Sequence, residues 1–340
     1  MCQKSVNYYD QANQLKAIRQ FDEDTAELNY SATQQTLRRL DKAFAAFFRR
    51  VKSGESPGYP RFKSRKCFTT VEYRWNDGAR FKDGRLHIHG AGAIKVKWHR
   101  DIPDSAKIKC VYIKRDLRQW YAVFSLELPN PEPGEHTGPE IGIDLGLNNL
   151  VALSDGTMIE NPRYFRRAES QLAERQRGLN HKVKFSKGWR KQAYQVAKTH
   201  RHIAHQRKDH AHKLSRQLAE TYSLIAVENL NIAGMAQGNF AKSILDAGWS
   251  QLVNFTTYKV EETGSRVVDV SAYRSSQECS GCGEIVPKDL GVRVHACPKC
   301  SRVLDRDTNA AINHLHRAHH RLGLSRSGLP LEAPAFYAGE

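Results

Sequence analysis

IGIDLGL, residues 141–147, decides the fold of this 340-residue chain. In extended backbone Ile141 and Ile143 point to one side, and Gly142, Asp144 and Gly146 to the other. An apolar strand that carries a carboxylate predicts the core of an α/β domain, with Asp144 held at the strand end. Downstream, Asp155-Gly156 marks a hairpin turn before another short strand. YSLIAVENL (222–230) is the next buried strand and ends its apolar run on Glu228; SRVVDVSA (265–272) is a further strand. Ahead of YSLIAVENL a long basic helix runs from Trp189 to about Thr221. Its expected inner stripe is Ala193, Val196, His200, Ile203, Arg207, Ala211, Leu214 and Leu218. DRDTNAAINHL (305–315) resumes as a helix. Upstream, residues 5–51 read as helical, with Ser31 and Thr33 at an N-cap position, and SGESPGYP (53–60) breaks the pattern. RLHIHG, AIKVKW, KIKCVYIKR and WYAVFSLEL predict a small β-domain or barrel between 61 and 128. The segment around 129–138 reads as a linker, the tail after Leu322 as loose, and there is no internal repeat.

Charge then narrows the partner. The chain carries 53 Lys+Arg against 36 Asp+Glu, a net charge of +17. Residues 163–216 hold sixteen Lys/Arg and three acids, so +13 of that charge sits in one stretch. An ordinary solvated helix mixes its signs, so this stretch predicts a nucleic-acid track. Its named candidates are Arg190, Lys191, Lys198, Arg201, Arg207, Lys208 and Lys213. No run of 18 apolar residues exists and MCQKSVNYYD has no apolar signal region. The expectation is therefore a cytoplasmic protein with no membrane partner.

Two groups of side chains carry chemistry. Cys279-x-x-Cys282 and Cys297-x-x-Cys300 are two thiol knuckles separated by 14 residues, the pattern of a closed tetrahedral zinc site. Four ligands leave no open position, so the expected role is structural. Gly281 and Gly283 are expected to supply positive φ angles there. Cys2, Cys67 and Cys110 pair with nothing by spacing and read as free or buried thiols. The second group is acidic: Asp144 and Glu228 on strands, Asp305 and Asp307 at a helix start. Any one of them has a cap or a salt bridge as its bland alternative. Together they predict a Mg²⁺ site suited to phosphodiester hydrolysis. His314, His316, His319 and His320 read as a solvated helix end. Trp75, Trp98, Trp120 and Tyr121 read as core residues in preference to base-stacking platforms.

At these residues the sequence resembles the TnpB (OrfB) family of transposon-encoded proteins, relatives of the compact type V CRISPR effectors. The likeness lies in GIDLGLNNLVALSDG (142–156), HRHIAHQRKDHAHKLSRQL (200–218), LIAVENLNIAGM (224–235) and SILDAGW (243–249). It continues in CSGCG, CPKC and DRDTNAAINHL, and more weakly in PGYPRFKSR and LRRLDKAFAAFFRR. The resemblance implies a multidomain α/β protein with a RuvC-like, RNase H-type nuclease domain. It implies RNA-guided DNA endonuclease activity, a guide RNA from the transposon end, a target DNA and no small-molecule cofactor beyond metals. It places the catalytic, Mg²⁺-binding acids on Asp144, Glu228 and Asp307, with Asp305 supporting, and structural zinc on Cys279, Cys282, Cys297 and Cys300.

The implied layout is a helical recognition-type segment (1–52), a wedge-like β-domain (53–136), a RuvC-like core (137–272) and a zinc ribbon (273–304). The last nuclease helix (305–322) and the tail (323–340) follow. Family members open with a strand resembling Y-K-x-R-L-Y-P, which this chain lacks, so the β-domain is expected to miss a strand. Ser301 stands where a Gly commonly follows the last zinc Cys. The alternatives to a nuclease are a cleavage-deficient RNA-guided DNA-binding repressor or transposon relic, and a strand-transferring transposase. Retention of Asp144, Glu228 and Asp307 favours the nuclease.

Overall fold

The computed structural model describes residues 6–64, 67–129, 134, 136–289 and 291–324. The expectations for Cys2, for half of the 129–138 linker and for the tail from 325 lie outside these residues. Two compact units divide the chain, Met1–Asn130 and Pro131–Glu340.

The first unit begins with helices α1 (Tyr8–Phe21), α2 (Glu23–Glu27) and α3 (Tyr30–Lys52). Asn29, not Ser31 or Thr33, caps α3 by accepting from Ala32 N–H at 2.9 Å. Asp22 breaks the expected continuous helix and caps α2 through Thr25 N–H. The strands are β1 (Thr70–Arg74), β2 (Ala79–Lys82), β3 (Arg85–Ile88), β4 (Gly92–Ile94), β5 (Lys107–Asp116) and β6 (Gln119–Glu127). Among the described residues they form two antiparallel sheets, β1-β5-β6 and β2-β3-β4, in place of one closed barrel. β4 ends at Ile94, so the pairing that AIKVKW promised never extends far enough to close a ring. The sheets share a core of Ala79, Leu86, Ile88 and Val111, with Trp75, Phe81 and Phe124 against it. Of the four aromatics read as core, Trp75 packs there; Trp98 stacks on Phe124 but is exposed, as are Trp120 and Tyr121.

The second unit is built on a five-stranded sheet. Its first strands are β7 (Glu140–Leu145), β8 (Asn149–Leu153) and β9 (Met158–Glu160). Helices α4 (Tyr164–Asn180) and α5 (Lys187–Thr221) follow, then β10 (Leu224–Asn229). After α6 (Ile232–Met235), α7 (Ala241–Ala247) and α8 (Trp249–Thr263) comes β11 (Arg266–Ser271). A hairpin of β12 (Val294–Ala296) and β13 (Val303–Asp305) leads into α9 (Arg306–Arg321). The strand order is β11-β10-β7-β8-β9, with β10 parallel to both neighbours and β8 and β9 antiparallel additions.

Alternation along β7 and β10 gives the sheet two faces. Ile141, Ile143, Leu145, Ile225 and Val227 bury against Leu214 and Leu218 of α5 and Trp249 and Leu252 of α8. Leu224 and Ala226 on the other face pack with Leu315 and Ala318 of α9. Gly142 lets α9 sit this close: a Cβ there would overlap the Ala311 carbonyl and meet Leu315 N at 3.0 Å. No described helix is long and apolar enough to cross a membrane.

Candidate active site and thiol centre

Parallel pairing brings the two strand acids level. Ala226 faces Gly142 and Val227 faces Ile143, so Glu228 and Asp144 end up side by side at the carboxyl ends of β10 and β7. In open α/β sheets that edge is where ligands bind. Leu145 N–H donates to Glu228 Oε1 at 3.1 Å and fixes its orientation. Burial pushes both carboxyls up, Asp144 well above the usual carboxylate range and Glu228 to about 7. Each also feels the other acids: Glu228 and Asp307 raise Asp144, and Asp307 raises Glu228. Such like charges, held together away from water, require protons or a cation. This donor set fits a divalent metal.

The helix acids play different parts. Asp305 is the N-cap of α9, accepting from Asp307 N–H at 2.8 Å and Thr308 N–H at 3.1 Å. Asp307 is buried beside the pair, but its oxygens are held by Arg293 at 3.3 Å and Arg306 at 3.0 Å. The third member of the Asp144–Glu228 cluster comes from a residue the sequence reading set aside. A ring nitrogen of His314 and one oxygen of each acid all lie within 4.8 Å. His314 is fully buried, as is most of His319, so these two do not belong to a solvated helix end. Burial presses His314 down to about 4, so it is neutral near pH 7. The signal available in sequence was its spacing: seven residues after Asp307 is two helical turns, hence the same face.

The four cysteines come together as their spacing predicts, all sulfurs within 4.8 Å. Cys279 and Cys300 are 3.6 Å apart, and so are Cys282 and Cys297. Tetrahedral zinc with Zn–S bonds of about 2.3 Å would separate sulfurs by about 3.8 Å, so the donor set fits zinc. Each knuckle is closed by its own backbone, Gly283 N–H to Cys279 O and Ser301 N–H to Cys297 O. Backbone N–H groups, Cys300's first, draw the Cys297 thiol down to about 6. Gly283 has positive φ as expected; at the second knuckle Ser301 adopts it instead (φ 56°). Gly281, expected to do the same, has no positive φ, and a Cβ there would meet only the movable Arg302 side chain, at 2.9 Å from Nε. Cys67 and Cys110 are free thiols.

α9 holds both centres. Asn309 Nδ2 donates to Glu278 O at 2.8 Å and its Oδ1 accepts from Ser280 N–H at 3.0 Å. Asn313 Nδ2 donates to Ser275 O and Glu278 O. These two buried asparagines, not singled out from the sequence, anchor the first thiol knuckle to the helix that carries Asp307 and His314. SILDAGW also has a structural use: Asp246 accepts from Phe165 and Arg166 N–H and so caps α4.

The basic candidates split along α5. At about 100° per residue, Arg190, Lys191, Lys198, Arg201 and Lys208 fall within one arc of about 100°. Arg190, Lys191, Lys198 and Lys208 are exposed, Arg201 half-exposed. Lys213 is exposed but paired with Asp209 at 2.7 Å. Arg207 lies on the packed side and donates to Leu245 O, a carbonyl of the last turn of α7. Thr199 and not His200 takes the inner stripe, because His200 faces out.

The second unit is a mixed α/β fold with a four-thiol centre and an acid pair at parallel strand ends, two donor sets that could each hold a metal ion. Residues 123–239 match the OrfB_IS605 family, described as "Probable transposase", and residues 249–314 match the Cas12f1-like TNB domain. The chain is 32% identical over 317 residues to a Streptomyces pristinaespiralis protein named as an RNA-guided DNA endonuclease, covering 92% of this chain and 77% of that one. It is 28% identical over 321 residues to Escherichia coli (strain K12) InsQ, which bears the same description, covering 88% and 78%. The structure of a Cas12f1–sgRNA–target DNA complex, determined by cryo-EM, shares the fold, with a TM-score of 0.53 at 16% identity over 89% of this chain and 75% of that one. The chain belongs to the OrfB_IS605 (TnpB) family.

Proposed function

We propose that the chain is an RNA-guided DNA endonuclease that cleaves phosphodiester bonds in a RuvC-like core, with Asp144, Glu228 and Asp307 as its catalytic acids. The observation that carries this reading is the acid pair at adjacent parallel strand ends, Glu228 buried and Asp144 half-buried, both raised in pKa beside Asp307. Asp144 and Glu228 would hold divalent cations, Mg²⁺ in the first instance, with Asp307 as a third oxygen donor whose side chain Arg293 and Arg306 position. Bound there, such cations activate water and stabilise the leaving oxygen. Leu145 N–H keeps Glu228 aimed at the site, and Asp305 fixes the start of α9 so that Asp307 faces the sheet.

The proposed layout follows: 137–272 with 305–322 as nuclease core, 273–304 as zinc ribbon, 1–52 and 53–136 as recognition and wedge-like segments. Guide RNA and target DNA are the partners, with the outer face of α5 meeting phosphates. Changing Arg190, Lys198 and Lys208 to Gln is expected to lower the slope of log affinity against log salt by about 2–3. Arg207→Gln leaves that slope unchanged and lowers stability instead, because Arg207 binds Leu245 O.

The test is purification with co-expressed transposon-end RNA, followed by cleavage of a matched plasmid with and without Mg²⁺. Guide-dependent, Mg²⁺-dependent cutting is expected. RNA retention with DNA binding and no cutting would favour the binding-only alternative.

A further inference from the structure

His314 belongs to neither arginine-paired Asp307 nor the thiol centre, yet it is the side chain that closes the Asp144–Glu228 cluster. Its Nδ1 lies 2.9 Å from Ile143 O. A carbonyl only accepts, so Nδ1 carries the proton and Nε2 carries the lone pair. Nε2 is buried and has no hydrogen-bond partner among the described residues. One ring nitrogen of His314 lies within 4.8 Å of an oxygen of each acid, and a buried nitrogen lone pair in that company has nothing to bond to except a proton or a cation. The Nδ1–H···O=C bond is itself the arrangement that orients metal-ligating histidines, fixing both tautomer and ring. The register supplies the rest: Ile143 lies between Gly142, which admits α9, and Asp144, which offers the carboxylate.

We propose that His314 Nε2 is a direct ligand of the divalent cation held by Asp144 and Glu228, making this an Asp–Glu–His site. The proposal rests on the reading of those two acids as cation-holding. Its consequence is selectivity. Mg²⁺ favours an all-oxygen shell, whereas imidazole nitrogen suits the transition metals, so the site gains affinity for Mn²⁺ relative to Mg²⁺.

The experiment uses the full chain with its thiol centre zinc-loaded and Mn²⁺ as probe. Pulsed EPR reads ¹⁴N coupling to bound Mn²⁺, and competition titration reads Mn²⁺ and Mg²⁺ affinities. His314→Asn is the variant of choice: its amide can still donate to Ile143 O but offers no Nε2. The wild type is expected to show directly coordinated ¹⁴N. His314→Asn is expected to lose that signal and at least about tenfold in Mn²⁺ affinity, with Mg²⁺ affinity changed less than threefold. Zinc content and thermal midpoint should hold, which separates ligation from packing.

Mn²⁺ that binds with no ¹⁴N coupling, at a site abolished by Asp144→Asn, would overturn the histidine ligand and leave the carboxylate reading standing. Mn²⁺ binding indifferent to Asp144→Asn, or none at all, would overturn both.

Discussion

Four cysteines between positions 279 and 300 meet through two tight knuckles, whereas Asp144, Glu228 and His314 meet only because β7, β10 and α9 pack together. The thiol centre is local: its geometry resides in chain spacing, and metal supplies the folding free energy. The acid centre is non-local, and hydrophobic packing assembles it in spite of the like charges it buries. Losing metal should therefore unfold one and merely protonate the other. That contrast makes the two centres separable by experiment, except where α9 joins them.

The largest effect is expected from Asp144→Asn. Cleavage should fall by roughly a thousandfold or more, since residues acting on one centre fail together, while zinc content and RNA binding stay at wild-type levels. Metal analysis alongside a plasmid assay checks this, and a loss of zinc in this variant would break the distinction between the centres.

Next is the converse, Cys279→Ser with Cys282→Ser. Zinc should be lost and the ribbon should unfold. Asn309 and Asn313 then lose Glu278 O and Ser275 O, and each orphaned buried amide costs about 1–3 kcal/mol. Cleavage should drop at least tenfold although no acid is touched, which a zinc-depleted preparation in the plasmid assay reads directly. Full activity without zinc would show that α9 transmits nothing.

Gly142→Ala tests the packing that assembles the acids. Its Cβ overlaps the Ala311 carbonyl, a backbone atom with little freedom to move. A loss of about 1–3 kcal/mol is expected in urea unfolding, with zinc retained. A neutral result would mean that α9 shifts freely over the sheet.

The smallest effect is in pH dependence. Glu228 is raised to about 7 in the fold, above its unfolded value of about 4.3. The stabilisation from its bound proton is present below about pH 4.3 and lost as pH rises through about 7. Asp144 shifts in the same direction. Metal-free protein should therefore lose thermal stability between about pH 4.3 and 7, and Glu228→Gln should flatten part of that loss. A divalent cation should restore stability at pH 8. Identical profiles for the variant and the wild type would remove Glu228 from the burial argument.

The difference between the centres also sets what sequence could reveal. The knuckles were legible because CxxC spacing is itself the geometry. Asp144 and Glu228 were legible as acids ending apolar strands, and the alternation of Ile141 and Ile143 against Gly142 and Asp144 matches the two faces observed. His314 was not, because its position is defined by the close approach of α9 to Gly142, a tertiary event with no local pattern. α4 was missed for a related reason, since its cap is the distant Asp246, and α7 and α8 start without any side-chain cap to mark them. In α5 a 3.6-residue period placed Ile203, Leu214 and Leu218 inside correctly. It also put His200 inside, which a slight drift of the stripe toward Thr199 turns outward.

The crowding of α9 has a consequence for how this protein can change over generations. From Asp307 to His319, ten residues of the helix are buried, and they serve the acid centre, the sheet and the ribbon in turn. A substitution there tests one contact. A single inserted or deleted codon between Asn309 and Asn313 would rotate every later residue by about 100°. His314 would swing off the sheet, Asn313 would leave the ribbon, and Asp307 would stay where it is. The stretch can drift in composition, but its length is fixed by three structures that count along the same helix.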